Sequence, residues 1–363
     1  MKVLFVHEEA VIPDFSILQK SASSGTAYAV SCISHALSKF VEVTVLHYNV
    51  IDDDDIKNND VIVFITHAIR YIKDNYISKE KKIIFWNHNF VQKEIMRDDL
   101  ITKIVCVSDY HKYWAQTAVL SSKVIRIYNP YVYEKVASCS SPIKKLDRLR
   151  LIFVGTLSKE KGFSSFLNIL KDVSKHRNID AVCCGGDKRD SLLLKQFDKI
   201  QNILYSTGST LQYRGIVDRC ELNELINDSH FLLYGLNTIG AAESFGYGFL
   251  DALNYNSIPL TLNRGGQVET IDEELRRYVM FSRCSQISKF LTEIDPDKYN
   301  TILNVSNSRK AIHLDSFEID GLVQDWLNLI KNDLHQNLQM KEICKFISRK
   351  IVNEKMNHWL DSI

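Results

Sequence analysis

The segment from residue 231 to residue 262 constrains the fold of this chain more than any other. An apolar run, 231–236, predicts a buried strand. A glycine-bearing loop, a short apolar helix and a second strand-like run, 258–262, follow it. A strand that reaches the next strand through a helix is the repeating unit of a parallel sheet with helices on its faces. The segment therefore predicts an α/β fold.

Two carboxylates lie inside this segment, Glu243 and Asp251, with seven residues between them. The predicted helix begins near Gly246. Its amino terminus would present unpaired N–H groups and partial positive charge, which favour an anionic or hydroxyl-rich ligand. Eight residues of helix span about 12 Å, comparable with the distance from a sugar across a diphosphate to a ribose. The alternative is a solvated acid before a helix and another on its exposed face.

Length and composition limit the classes of protein to consider. A chain of 363 residues is long enough for about two domains. Its 45 basic and 44 acidic residues give no overall attraction to nucleic acid. The eight cysteines form no Cys-x-x-Cys pair or metal-like spacing and predict reduced thiols in a cytoplasmic protein. No stretch approaches the roughly 20 apolar residues of a membrane-spanning helix, so we expect a soluble or peripheral protein.

In the amino-terminal half, strand-like runs alternate with helical ones and predict a doubly wound parallel sheet. Gly25 precedes an amphipathic run, where it could let the backbone approach a ligand, although a plain serine-rich helix cap explains it equally well. His88 follows the strand-like run 81–86, at a strand carboxyl end where open α/β sheets place ligands. A packed or surface histidine is the alternative. The four acids 52–55 are interpreted as a solvated loop rather than a metal site.

In the second half, the alternation of strand-like and helical runs begins again with the strand-like run 151–155. It leads through Thr156 into a loop with Lys161 and then into a helix that begins at Phe163. A lysine in a loop that opens a helix is a reasonable phosphate contact, because it adds a point charge to backbone donors. A solvated loop lysine is the alternative.

These patterns predict four regions along the chain. Residues 1–137 are a first α/β domain, 138–150 a linker, 151–332 a second α/β domain, and 333–363 a helical tail. The tail is amphipathic and basic, so it either crosses back to the first domain or lies on a membrane surface.

The order of these motifs resembles a known family. Glu-Ser-Phe-Gly followed by Asp251 resembles the glutamate–seven residues–glutamate signature of retaining glycosyltransferases with the GT-B fold, family 4, also called glycosyl transferases group 1. The loop 155–162 resembles the Gly-Arg-x…Lys-Gly element of that family, and 265–269 resembles its Gly-Gly-x-x-Glu segment. Two positions depart: Asp251 replaces the second glutamate, and Thr156 replaces the arginine. We expect Lys159, Arg214 or Arg264 to substitute for that cation.

The resemblance implies two Rossmann-like domains that face a central cleft, with 1–137 on the acceptor side and 151–332 binding the nucleotide-sugar. It also implies roles for particular residues. Glu243 would hold the sugar, Asp251 the ribose and Lys161 the diphosphate, while His88 would face the sugar. The remaining residues expected to line the donor site are Gly25, Thr156, Phe245, Gly246 and Tyr247.

The reaction implied is transfer of a sugar from a nucleoside-diphosphate sugar to a glycan or lipid-linked glycan acceptor, with retention and without a metal ion. Synthesis of a bacterial envelope polysaccharide or lipopolysaccharide is the family's commonest use, and contact with a membrane would be peripheral. Two alternatives remain open, a nucleotide-sugar epimerase of the same fold and a catalytically degenerate nucleotide-sugar-binding subunit.

Overall fold

The computed structural model of the protein describes residues 1–18, 23–71, 81–90, 93–132, 146–238 and 242–331. These residues divide into two compact units. The amino-terminal unit contains the described residues up to 132 together with 316–331, and the carboxyl-terminal unit contains 146–315. The predicted tail, 333–363, and most of the predicted linker lie outside the described residues.

The amino-terminal unit is built on a parallel sheet of six strands in the order β2-β1-β3-β4-β5-β6. The strands are β1 (Lys2–His7), β2 (Glu42–His47), β3 (Val61–Ile65), β4 (Lys82–Asn87), β5 (Lys103–Cys106) and β6 (Val124–Arg126). The first four helices are α1 (Gly25–Ser38), α2 (Asp53–Asn58), α3 (Lys93–Met96) and α4 (Asp109–Gln116). Strand β3 is buried along its whole length, as expected for a strand covered by helices on both faces.

The acidic run 52–55 begins helix α2 rather than forming the predicted loop. The Asp52 side chain accepts hydrogen bonds from the backbone N–H groups of Asp54 and Asp55, each at 2.9 Å. The Asp55 side chain accepts from the Asp52 N–H at 3.0 Å, which completes a reciprocal capping box. Helix capping therefore accounts for two of the four acids.

The carboxyl-terminal unit repeats the architecture with the strand order β12-β11-β10-β7-β8-β9, again parallel. Its strands are β7 (Leu149–Val154), β8 (Ile179–Cys184), β9 (Thr210–Tyr213), β10 (Phe231–Leu233), β11 (Ile258–Leu262) and β12 (Met280–Phe281). Its helices are α5 (Phe163–Val173), α6 (Ser191–Ser206), α7 (Arg219–Asp228), α8 (Tyr247–Asn254), α9 (Glu273–Val279), α10 (Cys284–Glu293) and α11 (Pro296–Asp315). Strand β7 begins at Leu149 and so includes the last two residues of the predicted linker.

The last described helix, α12 (Ile319–Lys331), corrects the predicted domain boundary. The sequence placed this helix in the domain 151–332, but it packs on the amino-terminal unit. The ring of Trp326 lies 4.8 Å from that of Trp86 and 6.1 Å from that of Phe5. The ammonium of Lys82 donates to the carbonyl of Leu329 at 2.6 Å, near the carboxyl end of the helix. The apolar face of α12 thus completes the core of the amino-terminal unit.

The strand order locates the edge where a ligand would bind. In the carboxyl-terminal unit the chain builds outward from β7 through β8 and β9, then returns to place β10 on the other side of β7. Ligands of open α/β sheets bind outside the carboxyl ends of the strands at such a switch point. The segments that follow β7 and β10 are those with the predicted Lys161 and Glu243.

Candidate active site

Three glycines bring the carboxyl ends of β7, β8 and β9 into close contact. Gly155 donates its N–H to the carbonyl of Cys184, and Gly185 donates to Gly215, at 2.9 and 2.8 Å. A Cβ on Gly185 would lie 2.1 Å from the carbonyl oxygen of Gly155, so no larger residue fits there. A Cβ on Gly155 would meet no described atom within 4 Å, and the strand end is therefore open at that point.

The loop after β7 fixes the position of Lys161. Gly162 precedes α5 with φ +77°, and a Cβ there would lie 2.6 Å from the backbone nitrogen of Asn237. The Asn237 side chain donates to the carbonyl of Glu160 at 2.8 Å. The loop is therefore held against the segment that follows β10. Thr156, which stands where the family has arginine, is half-buried and accepts from the Ser158 N–H at 2.9 Å.

Lys161 and Glu243 form an ion pair across 82 residues of sequence. The lysine Nζ lies 2.7 Å from the glutamate Oε1, and the two side chains are 43% and 13% exposed. The charge of Glu243 and its hydrogen bond raise the pKa of Lys161 against the opposing effect of burial, so the ammonium stays protonated. Burial and the charge of the neighbouring Glu243 carboxylate raise the pKa of Tyr234 well above its ordinary value.

Helix α8 begins beside this ion pair, and its first turn has no side-chain cap. Gly246 occupies the N-cap position with φ +109°. A Cβ there would lie 2.5 Å from the Cβ of Gln267, a residue that is 1% exposed. Phe245 is buried, with its ring 5.1 Å from that of Tyr247 in an edge-on contact. Glycine is therefore required where the chain turns into the helix, and the uncapped amino terminus is suited to an anion.

The predicted glycine turn 263–267 contacts the backbone of Glu243. The Gly266 N–H donates to the Glu243 carbonyl at 2.8 Å. Gly265 has φ +97°, and a Cβ there would lie 2.8 Å from the same carbonyl oxygen. The turn thus fixes the backbone of Glu243, and the side chain of Glu243 pairs with Lys161.

Asp251 forms an ion pair with Arg219, a residue that the sequence analysis did not select. Both carboxylate oxygens accept hydrogen bonds from the guanidinium of Arg219, and the side chains are 5% and 16% exposed. The expected ribose contact would therefore be made by a carboxylate that is already held in place. The only signal for Arg219 in the sequence is its position at the start of the helix that follows β9.

The candidate replacements for the missing arginine form ion pairs on exposed surface. Lys159 contacts Asp190 and Arg214 contacts Glu221, each at 2.7 Å. Exposed pairs of this kind contribute little to stability, so either cation can change partners without a large cost. Arg264 precedes the glycine turn and accepts a hydrogen bond at its carbonyl from the Gln267 side chain.

The strand ends of the amino-terminal unit carry buried histidines. His88 follows β4, is 4% exposed and lies 4.6 Å from the ring of Trp86, and burial lowers its pKa to about 3. His111 is fully buried, with its Nε2 3.1 Å from both the Asn87 side-chain nitrogen and the Asn89 carbonyl oxygen. Burial lowers the pKa of His111 to about 4. Both imidazoles are neutral at pH 7, and the sugar-facing role of His88 stays a prediction.

Gly25 is the exposed first residue of α1. The helix is capped by the Ser24 hydroxyl, which accepts from the Ala27 N–H at 3.0 Å. The serine cap is therefore present, and ligand contact at Gly25 stays a prediction. Among the residues with described positions, no group of three His, Cys, Asp or Glu side chains could hold a metal ion, and no helix is long and apolar enough to cross a membrane.

Most of the carboxyl-terminal unit matches a known family model. Residues 140–294 match the family model of glycosyl transferases group 1. An uncharacterized 41.2 kDa protein in the cps region of Klebsiella pneumoniae is 23% identical over 221 residues, which cover 56% of this chain and 55% of that protein. The match therefore spans about half the length of this curated relative.

Two solved structures share the fold over nearly their whole lengths. Anabaena HepE, in complex with UDP and glucose, superposes with a TM-score of 0.66 at 14% identity, covering 91% of this chain and 99% of HepE. The lipopolysaccharide outer core galactosyltransferase WaaB gives 0.60 at 15% identity, with the same coverage of 91% and 99%. The GT-B fold predicted from the sequence is confirmed, as is the resemblance to group 1 glycosyltransferases.

Proposed function

We propose that this chain, whose residues 140–294 match the group 1 glycosyltransferase model, transfers a sugar from a nucleoside-diphosphate sugar to an acceptor hydroxyl. One observation carries the proposal. The ion pair of Lys161 and Glu243 lies beside the uncapped amino terminus of α8, at the switch point of the carboxyl-terminal sheet. A cation, a carboxylate and the positive end of a helix without a side-chain cap together suit a ligand that joins a diphosphate to a sugar.

The chemistry requires stabilisation of the diphosphate as it departs. Lys161 and the first-turn N–H groups of α8 are aimed at that developing negative charge. Charge-assisted hydrogen bonds contribute about 1.5–3 kcal/mol each, and about 1.4 kcal/mol corresponds to a factor of ten in rate. Two or three such bonds therefore supply a several-thousandfold acceleration. In this proposal the protein cations and dipoles take the place of a metal ion.

The other groups bind and orient the substrate. Glu243 accepts hydrogen bonds from the sugar hydroxyls, and Asp251, held by Arg219, accepts from the ribose. The neutral imidazole of His88 faces the sugar from the amino-terminal unit. The configuration at the anomeric carbon is retained, and the leaving phosphate takes the proton of the acceptor hydroxyl.

The biological role that we propose is synthesis of a bacterial envelope polysaccharide or lipopolysaccharide, with a glycan or lipid-linked glycan as acceptor. The cps region named for the Klebsiella relative and the activity named for WaaB support this role. We propose that the protein acts in the cytoplasm, with peripheral contact to the membrane.

A donor assay tests the function. UDP, GDP and ADP are titrated by calorimetry, and donors that share the base of the tightest ligand are then incubated with the protein. We expect one nucleotide to bind and its sugar donor to be hydrolysed slowly without acceptor, with retained configuration by NMR. Isomerisation of the donor would instead identify an epimerase, and binding without turnover would identify a degenerate binding subunit.

A further inference from the structure

Arg189 lies in the loop between β8 and α6, and its guanidinium packs over two aromatic rings. The Cζ atom lies 4.7 Å from the centroid of the Phe197 ring and 4.8 Å from that of the Tyr213 ring. Phe197 belongs to α6 and Tyr213 ends β9, so one side chain joins a helix to a strand of the sheet. The Arg189 side chain is only 8% exposed. Contact with both rings therefore fixes the place and the orientation of the planar cation.

Arg189 holds the carboxylate of Asp187 through three hydrogen bonds. Its Nε and Nη2 atoms donate to Oδ1 and Oδ2 at 2.8 and 2.6 Å, and its backbone N–H donates to Oδ1 at 3.1 Å. The hydrogen bonds from the guanidinium lower the pKa of Asp187 to about 2, so this carboxylate stays ionised and paired. The hydroxyl of Tyr213 also donates to the carbonyl of Gly185 at 3.0 Å. The segment 185–187 is therefore fixed at both of its ends.

This segment pairs with the loop that follows β7. The backbone N–H of Leu157 donates to the carbonyl of Gly186 at 2.9 Å, and Leu157 lies opposite Asp187 in a parallel bridge. Leu157 is fully buried, so the contact is shielded from water. The loop 155–162 is thus attached to the segment that Arg189 holds.

Ser158 continues the connection to Lys161. The Ser158 hydroxyl accepts from the backbone N–H of Lys161 at 3.3 Å, and the Ser158 carbonyl accepts from the N–H of Phe163 at 3.1 Å. Ser158 is itself buried. A continuous series of contacts therefore leads from Arg189 to the residue whose ammonium pairs with Glu243.

We propose that Arg189 is a positioning residue, which fixes the loop 155–162 so that the Lys161 ammonium is already directed at the diphosphate of the donor. The proposal rests on the proposed function and adds a residue to it. Arg189 touches neither the donor nor the reacting atoms. A displacement of about 1 Å at a catalytic group can lower a rate by about a hundredfold, so a residue outside the site can still control the reaction.

The direct test is Arg189→Met, which removes the charge and the hydrogen bonds but keeps an unbranched side chain over the two rings. Asp187 is 40% exposed and can be hydrated once its partner is lost, so the variant should fold. Because the charge on the diphosphate grows as the glycosidic bond breaks, the loss should fall mainly on kcat. We expect kcat to fall roughly 10- to 100-fold, with less than about a threefold change in the donor KM. Free UDP, which resembles the departing group, should bind more weakly by a similar factor, while the affinity for UMP stays the same.

The matched control is Arg148→Met. Arg148 pairs with Asp180 in the same unit and also donates to the carbonyl of Gly208 at 2.6 Å, near the amino ends of the strands. The chemical change is the same, but this pair has no contact with the loop 155–162. We expect wild-type kcat, KM and UDP affinity in this variant.

A double-mutant cycle tests whether Arg189 acts through Lys161. In a Lys161→Ala background no ammonium remains to be placed, so Arg189→Met should lower kcat less than about threefold. A general structural effect would instead lower kcat by the same factor in both backgrounds. That additive result would overturn the proposal.

The wild type separates failure of this proposal from failure of the proposed function. If UDP, GDP and ADP all fail to bind the wild-type protein, the function itself is wrong. If GDP or ADP binds more tightly than UDP, that nucleotide and its monophosphate replace UDP and UMP. If the wild type binds and turns over a donor while Arg189→Met keeps its kcat, only the role of Arg189 is wrong.

Discussion

Both units are built on six-stranded parallel sheets, and the edges formed by the carboxyl ends of their strands differ in chemistry. In the carboxyl-terminal unit this edge carries ionised groups in pairs, such as Lys161 with Glu243 and Arg219 with Asp251. In the amino-terminal unit it carries His88 and His111, which burial keeps neutral. Two parallel sheets of the same size can therefore present strand-end edges of different charge.

The largest effect is expected at the buried ion pair of the charged edge. Arg219→Ala leaves the carboxylate of Asp251 buried without its cation, so the free energy of unfolding should fall by about 3–5 kcal/mol. Urea denaturation of the purified variant measures this change.

A second Arg–Asp pair in the same unit is the matched control. Arg148 contacts Asp180 at 2.5 Å near the amino ends of the strands, where both side chains are about one-third exposed. Arg148→Ala should cost no more than about 1 kcal/mol. Equal losses of unfolding free energy in the two variants would mean that the buried pair contributes no more to stability than the exposed one.

Lys161 should have the next largest effect, on the reaction rather than on the fold. Lys161→Ala removes the charge aimed at the diphosphate, so kcat should fall at least about a hundredfold while the variant stays folded. Lys175→Ala, which breaks an exposed pair with Asp172 in the same unit, should keep wild-type turnover. Near-normal kcat in Lys161→Ala would mean that Lys161 does not stabilise the departing diphosphate, which contradicts the proposed mechanism.

The turn into α8 gives a smaller but specific effect on stability. Gly246→Ala forces a side chain into the left-handed region and against Gln267, which should cost at least about 2 kcal/mol of unfolding free energy. Gly186 has a negative φ and no described atom within 4 Å of its missing Cβ. Gly186→Ala should therefore be within about 0.5 kcal/mol of wild type. A tolerated Gly246→Ala would show that α8 can begin in another conformation.

The effect at the neutral edge depends on pH and is the smallest of these effects at pH 7. His88 and His111 have folded-state pKa values of about 3 and about 4, below the ordinary 6.5. The unfolded chain therefore binds more protons between pH 6.5 and about 4, and stability falls as the pH falls through this range. Each histidine contributes up to about 1.4 kcal/mol per pH unit.

Thermal unfolding between pH 7 and pH 4 measures this dependence. His88→Gln should lower the slope by one histidine's share, whereas Gln at the exposed His176 should leave it as in the wild type. Identical slopes in wild type and His88→Gln would mean that the imidazole is not held neutral.

Local patterns were sufficient to predict most of the fold. The strands are continuous apolar runs, and the helix starts at Gly162 and Gly246 follow from glycine where the chain changes direction. The docking of α12 was not predicted, because an amphipathic helix does not specify which apolar surface it covers. Helix α12 packs on the amino-terminal unit, although the carboxyl-terminal unit directly precedes it in the sequence.

In the candidate site too, the sequence identified residues but not the contacts that they make. Lys161, Glu243 and Asp251 could be chosen from motifs and spacing, but their partners could not. Arg219 is 32 residues from Asp251 and Lys161 is 82 from Glu243, and only strand order brings them together.

The most direct test of the central claim is a crystal structure of the protein with the nucleoside diphosphate that binds most tightly. The account predicts the terminal phosphate within hydrogen-bonding distance of the Lys161 ammonium and of backbone N–H groups in the first turn of α8. A nucleotide bound away from both 155–162 and 243–251 would contradict it.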